Sequence, residues 1–428
     1  MGSEEGNYRM NVVWGLLGPE HLGSSRRTRT LGLGAAVRYF NDRAVPGLGG
    51  VWFGKQLLLS TLGVVVAEKA RENGANVNNI QVANAIEALA CQMAFKQNKW
   101  NPDSRLRGSQ KLRGKDDDFT FALVKQPNFY VTQPMRMATV QALPALGLVR
   151  ANGSRFNAFE ATQESWDFIE SSGVNLTALV KWVYSGDSNG LGQTHHQDKL
   201  HPTSPLEPDA KRLLKARLQQ GSAAEPKDDT KRRRRALDWL DWIASVQPNQ
   251  PLTLERKPAQ LDDAHWHDIV AGALFFKVQA AAIAALAALE TGMGHTVQKY
   301  SLGQGAQMTH PQLQELKIAA QLFLKHKSTN KDATRFCEEF GSESPEAALK
   351  ALVARDDAVL RLDGEQIRRG PAFRGKTEPP SPVDDEEAET PNGKIPLPDD
   401  VSFRLRNLYL LNLDLNGKLD FWINENRR

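Results

Sequence analysis

The stretch from Gln133 to Ser172 constrains the fold more than any other part of the chain, because helix, turn and strand signals follow one another there without a gap. Thr132-Gln133-Pro134 supplies an N-cap residue and a proline in the first turn, where a missing N–H costs least. Met137, Val140, Leu143 and Leu146 then recur on one helical face before Gly147, which suits a C′ position. The spacing predicts a helix ending at Leu146 and a strand at Leu148-Val149. Asn152-Gly153 is the dipeptide best suited to a two-residue type I′ turn, and Phe156-Asn157-Ala158-Phe159 alternates as a return strand would. A second helix is predicted from Thr162 through Trp166 and Ile169.

Helix, strand, Asn-Gly hairpin and helix in this order resembles winged-helix DNA-binding domains over the segment 133–172. The resemblance implies that the helix carrying Arg136, Thr139 and Gln141 lies in the major groove. It also implies that the hairpin lays Arg150, Asn152 and Arg155 against phosphate or the minor groove. Two features depart from the pattern. Pro144 sits inside the predicted recognition helix, where it removes a backbone hydrogen bond, and no clear helix precedes it through the Pro127 region. Winged helices also serve as protein-docking modules, so the motif by itself does not decide the partner.

The rest of the chain reads as mainly α and multidomain, since 428 residues can bury more than one core. The expected organisation is a helical N-terminal region with a basic loop over 1–115, a winged-helix module over 116–184 and a flexible basic linker over 185–235 that has room for a short helix at Asp209–Gln219. A separate C-terminal helical domain over 236–369, an acidic proline-rich linker over 370–398 and an apolar segment over 399–428 follow. Leu57–Ala70 and Ile80–Phe95 carry apolar residues at helical spacing, Asn78-Asn79 before Ile80 is a capped start, and Ser344-Pro345-Glu346 is a helix entry. The terminal run from Val401 fits a strand or a helix. Ile269–Leu289 is long and apolar enough to span a bilayer, but its alanines and its central Lys277 favour a buried helix.

Charge has to be read by distribution, because 54 Lys and Arg against 50 Asp and Glu give only +4. One cluster is the loop holding Arg105, Arg107, Lys111, Arg113 and Lys115, placed to add phosphate contacts beside the winged-helix segment. Another is Lys231-Arg232-Arg233-Arg234-Arg235, and the acidic run Asp384–Glu387 is expected to compete with nucleic acid for both clusters. Cys91 and Cys337 make neither a disulfide scaffold nor a zinc site by themselves and suit a reducing cytosol. The acidic Met1–Gly6 start lacks a secretory pattern, so a cytoplasmic location is expected.

Catalytic motifs are wanting. Gly32-Leu33-Gly34 lacks the third glycine of a dinucleotide fingerprint, and no Gly-x-Ser-x-Gly elbow occurs. Lys325-His326-Lys327-Ser328 lacks the lysine that a phospholipase-D-type nuclease motif needs at Ser328, and Asp414-Leu415-Asn416-Gly417 reads as a turn. His265 and His267, at i and i+2, point to different sides of a helix. No catalytic residue, metal or cofactor is therefore expected.

Gly15-Leu16-Leu17-Gly18-Pro19-Glu20-His21, Arg38-Tyr39-Phe40, Arg105-Leu106-Arg107-Gly108-Ser109-Gln110-Lys111-Leu112 and the 133–172 segment occur in an order similar to uncharacterised winged-helix proteins of bacterial anti-phage defence loci. That resemblance implies a multi-subunit defence context. The leading expectation is a non-catalytic DNA-binding adaptor or sensor subunit, with double-stranded DNA and other protein subunits as partners, no membrane, and room for a homo-oligomer. The alternatives are a structural or inhibitory protein-binding subunit, and a nuclease-like enzyme using His265, His267 and nearby carboxylates.

Overall fold

The structure is a computed structural model and describes residues 29–115, 119–186, 191, 198–246, 252–375, 391 and 393–426. It is mainly helical. The described residues form two compact units. One draws on Leu33–Ala281, Glu315–Ser342 and Glu378–Arg428, the other on Met1–Gly32, Ala282–Gln314 and Glu343–Thr377.

The larger unit is built on α1 (Gly34–Ala44), α2 (Gly54–Glu72) and α3 (Asn79–Gln97). Every residue of α2 from Gly54 to Ala67 is buried, as a helix apolar around its whole circumference must be. Helix α3 starts where the sequence predicts. The Asn78 side chain accepts from the Gln81 N–H at 2.9 Å, and the Gln81 side chain accepts from the Asn78 N–H at 3.1 Å, a capping box. The two helices touch at Gly63, where an added Cβ would sit 2.3 Å from Ala83 Cβ and 2.6 Å from its Cα. Phe40 of α1 anchors an aromatic cluster with Phe275, Phe276 and Phe323.

The segment 133–172 keeps its predicted order but not its predicted geometry. The single helix is instead two four-residue turns, Arg136–Thr139 and Ala142–Ala145, separated at Val140-Gln141. Pro144 lies in the second turn, where its missing N–H limits the ladder. Gly147 does take the positive φ of a C′ residue, at 74°. Strands β1 (Arg150–Ala151) and β2 (Phe159–Glu160) pair antiparallel, yet Asn152-Gly153 is not a type I′ turn: neither residue has positive φ. A longer loop with a 3-10 turn at Phe156–Ala158 joins the strands. The helix Gln163–Ser171 follows, with Thr162 as its predicted N-cap.

Residues 208–246, read in part as linker, fold into two helices, Pro208–Gln220 and Lys227–Val246. Ala210, Leu214 and Leu218 repeat every four residues on a buried face of the first, and Leu237, Leu240 and Ile243 are buried in the second. The first matches the short helix expected at Asp209–Gln219; the second extends the helical pattern of Leu237, Leu240 and Ile243 upstream through the basic run, whose Arg232 and Arg233 are neutralised inside the fold. Arg233 is fully buried and donates to both carboxylate oxygens of Glu225, to the Leu218 carbonyl at 2.9 Å and to the Pro46 carbonyl at 3.1 Å. Arg232, also buried, reaches Asp268 at 2.9 Å and Asp228 at 3.1 Å. The terminal apolar run is a helix, Phe403–Leu415, and Leu405, Leu408 and Leu411 are buried along it.

The smaller unit holds a three-stranded antiparallel sheet in the order β3 (Lys299–Ser301), β5 (Gln366–Arg369), β4 (Leu360–Asp363). Its inner face packs on the helices Leu302–Met308 and Pro345–Asp356 through Ile367, Leu360, Leu349 and Leu352. Ser344 caps the second helix as predicted, its hydroxyl accepting from the Ala347 N–H at 3.3 Å. Arg29 bridges Glu290 at 2.9 Å and Asp356 at 3.3 Å. The apolar helix spans Asp263–Met293. Over half of its most apolar window, 56%, is buried by protein, which agrees with a packed helix better than a lipid-facing one.

Gly63→Ala tests the helix contact. Alanine is the better helix former by about 1 kcal/mol, so an open site would be stabilised. Overpacking against Ala83 should instead cost about 1–3 kcal/mol in denaturant unfolding, and a stabilised variant would show that α2 and α3 do not meet there.

Candidate nucleic-acid interface

The loop between α3 and β1 is fastened along one face of α3. Asn84, Glu87 and Cys91 recur at i, i+3 and i+7, and each meets this loop. Arg136 donates to Asn84 Oδ1 at 2.6 Å. The Tyr130 hydroxyl donates to Glu87 Oε1 at 3.0 Å and lies 3.3 Å from Cys91 Sγ, and the Met135 N–H also donates to Glu87, at 2.9 Å. Burial raises the Glu87 carboxyl above its ordinary value, opposed by the Arg107 charge, and pushes the Cys91 thiol up to about 12. Such a thiol is inert as a nucleophile. The knot is an anchor for the loop.

This anchoring divides the predicted DNA-contacting residues. Arg105 and Arg107 are turned inward, 7% and 8% exposed, and cannot reach a duplex. Arg105 pairs with Asp103 at 3.0 Å and Asp420 at 2.7 Å, while Arg107 donates to the Gln133 carbonyl. Thr139 is fully buried and donates to the Arg136 carbonyl, and Gln141 accepts from Arg404 at 2.7 Å. Those two residues of the expected recognition helix are therefore engaged within the fold, and Arg136 is half-buried beside Phe156.

The remaining predicted residues face outward in two places. At the C-terminal end of α3, Lys111 and Arg113 are exposed, and the Arg113 guanidinium lies 5.5 Å over the Trp100 ring, which stacks on Phe95 at 5.0 Å. Lys99 is exposed next to Trp100, and both have positive φ, 57° and 62°. The Trp100 N–H closes the helix by donating to the Phe95 carbonyl at 2.8 Å, as a Schellman-type ending requires, but glycine is the usual residue at such angles. Asp116, Asp117 and Asp118 follow in sequence, outside the described residues. At the N-terminal end, the β1–β2 loop exposes Asn152 and Arg155, and Arg150 is exposed but paired with Glu160. Asn79 holds that loop by donating to the Phe156 and Phe159 carbonyls at 3.1 and 2.8 Å.

Two other sequence features are absorbed by packing. Of the run Lys231–Arg235, Arg232 and Arg233 are buried in ion pairs and Arg235 pairs with Asp262. The acidic run Asp384–Glu387 and the motif Gly15–His21 lie outside the described residues. His265 is fully buried, with Nε2 2.9 Å from the Ala44 carbonyl. His267 and His326 stack at 4.1 Å, each Nε2 bonded to the other residue's carbonyl. Among the described residues no group of three or more His, Cys, Asp or Glu is placed to hold a metal ion. The chain matches no protein-family model, no curated protein and no solved structure.

Burial lowers the His265 pKa from 6.5 to about 4, with Arg232 adding to the shift and the hydrogen bond to Ala44 opposing it. As pH falls from 6.5 towards 4, the unfolded chain takes up a proton that the folded chain refuses, so stability is lost across that window. At about 1.4 kcal/mol per pH unit this amounts to roughly 3 kcal/mol. Unfolding curves of the parent should therefore decline more steeply between pH 6.5 and 4 than those of His265→Gln, and parallel declines would refute the assignment.

Proposed function

We propose that this protein is a non-catalytic DNA-binding adaptor, a subunit of a bacterial multi-protein system of the kind that the defence-locus resemblance suggests. One observation carries the reading. Exposed basic loops sit at the two ends of a single rigid helix and along the face to which one continuous segment is fastened. Helix α3 has 19 residues, so at 1.5 Å per residue its two ends, each carrying one of the loops, are about 27 Å apart. That is close to the roughly 34 Å of one duplex turn, a spacing at which two loops can meet successive backbone stretches on one side of DNA.

In this reading Lys99, Lys111 and Arg113 neutralise phosphates at one end, and Arg150 and Arg155 do so at the other, with Asn152 beside them. The β1–β2 loop plays the part of a wing. The helical turns at 136–145 position it and do not enter the groove, because Thr139 and Gln141 are occupied. Affinity would then be dominated by backbone contacts and only weakly dependent on sequence. A protein-binding subunit is the second reading, and Ile318 and Leu322 favour it. They lie one turn apart on the helix His310–His326 and are 57% and 50% exposed, an arrangement suited to a partner helix or groove.

Duplex binding measured against salt separates the two. Replacing Lys111 and Arg113 with glutamine should lower the slope of log K on log salt by about two units, and the Arg150, Arg155 pair should do the same. Stability should change by less than about 0.5 kcal/mol, as at other exposed sites. Failure of the parent to bind duplex at low salt, or identical slopes in the fourfold variant, would exclude the DNA reading and leave the protein-docking one.

A further inference from the structure

The geometry points to a phosphate-binding pocket on the smaller unit, formed where β3 begins and β5 ends and lined by Gln298, Lys299, Arg368 and Arg369 around a cavity of about 390 Å³. Strand register creates it. Lys299 lies directly opposite Arg368, and Arg361 lies opposite Arg368 on the other side. One row across the three strands is therefore cationic at every position, with neighbouring strands about 4.8 Å apart, and all three side chains are exposed.

Like charges directly opposite one another destabilise a sheet, and the fold relieves this row only in part. Arg368 pairs with Asp363 at 2.5 Å and Arg361 with Asp357 at 3.4 Å. No carboxylate among the described residues pairs with Lys299. Arg369 likewise lacks an ionic partner there: it donates to the Gly294 and Val297 carbonyls, each at 3.0 Å, and its guanidinium lies 4.9 Å from the Phe373 ring centroid. Those contacts fix its orientation without neutralising it.

The pocket therefore combines a preorganised guanidinium, a second one held by a carboxylate, an ammonium and an amide that can donate. Bidentate guanidinium donors with a nearby ammonium match the oxygens of a tetrahedral dianion or a phosphodiester. The volume suits one phosphorylated group and lies within the range of small-ligand sites. The ligand chemistry is phosphate, either on a small molecule or in a nucleic-acid backbone. This site is separate from the loops along α3 and does not depend on their role.

Calorimetric titration of the full chain with inorganic phosphate, and binding of a short duplex, test the pocket. Lys299→Gln with Arg368→Gln should weaken phosphate or duplex binding at least about tenfold, in line with the loss of charge-assisted contacts, while Arg361→Gln, outside the lining, should change it little. Loss confined to inorganic phosphate identifies a small phosphorylated ligand; loss on duplex identifies backbone phosphate. Lys299→Gln alone, with no described partner to lose, provides the same comparison if the double variant is unstable. Binding of both probes unchanged by these variants, or lost equally in Arg361→Gln as a diffuse surface field would require, overturns the proposal. Replacing Lys111, Arg113, Arg150 and Arg155 should leave phosphate binding here intact, so failure of the duplex-contact reading is read independently.

Discussion

The enclosure of α2 is the constraint on which the larger unit depends. A helix buried around its circumference has no solvent to satisfy its polar groups, so protein partners take its place, although Gln56 Nε2 is left without one. Gln56 Oε1 accepts from the Trp52 and Phe53 N–H groups at 2.8 and 3.3 Å, and Thr61 donates back to the Leu57 carbonyl at 2.8 Å. The Gly54 N–H donates to Asp414 at 2.8 Å, and Lys55 donates to the Lys199 carbonyl. Burial lowers the Lys55 pKa to about 8, with Asp414 opposing the shift and Lys199 adding to it. The start of α2 is thus completed by residues 144 to 360 positions away in the sequence. These long-range partners make it an element that becomes stable only as the surrounding parts assemble.

That dependence explains which elements the sequence made legible. Asn78 with Gln81, Thr162 before Gln163–Ser171 and Ser344 before Pro345 set their helix starts through bonds spanning three residues, and all three occur. The broken helix at 136–145 reflects a conflict between apolar spacing and the proline that interrupts the hydrogen-bond ladder. Asn152-Gly153 had suitable turn chemistry, but paired strands of two residues each give little to enforce a tight loop. A two-residue turn does occur at Gly364-Glu365, where Gly364 has φ of 60°, as the first central position of a II′ turn demands. Its cue was Asp363-Gly364 between the alternating runs Leu360–Asp363 and Gln366–Arg369.

The candidate sites separate along the same line. Arg105 and Arg113 belong to one basic loop, yet one is buried by Asp103 and Asp420 while the other lies over Trp100. Asp103, two positions before Arg105, is a local cue, but the other partner, Asp420, is 315 positions from Arg105. The basic run 231–235 reads as solvated in sequence, and Glu225 and Asp268 make its Arg233 and Arg232 suitable core residues. Conversely, Lys299 and Arg368 are remote in sequence and become neighbours only through the register of β3 on β5.

Charge in this chain is consequently informative after its internal pairs are removed. A buried cation needs a close carboxylate or several carbonyls, since desolvation otherwise costs several kcal/mol, and Arg233, Arg232 and Arg105 each have them. An exposed pair contributes about 1 kcal/mol at most, so little of the fold's stability requires a cation to occupy a particular surface position. Lys299 is the sharper case. Opposite Arg368 it makes the sheet less stable than a neutral residue would, and no described carboxylate offsets that cost. An external anion supplies the missing half of the interaction, which is why the basic row, more than the longer basic runs of the sequence, bears the mark of a ligand.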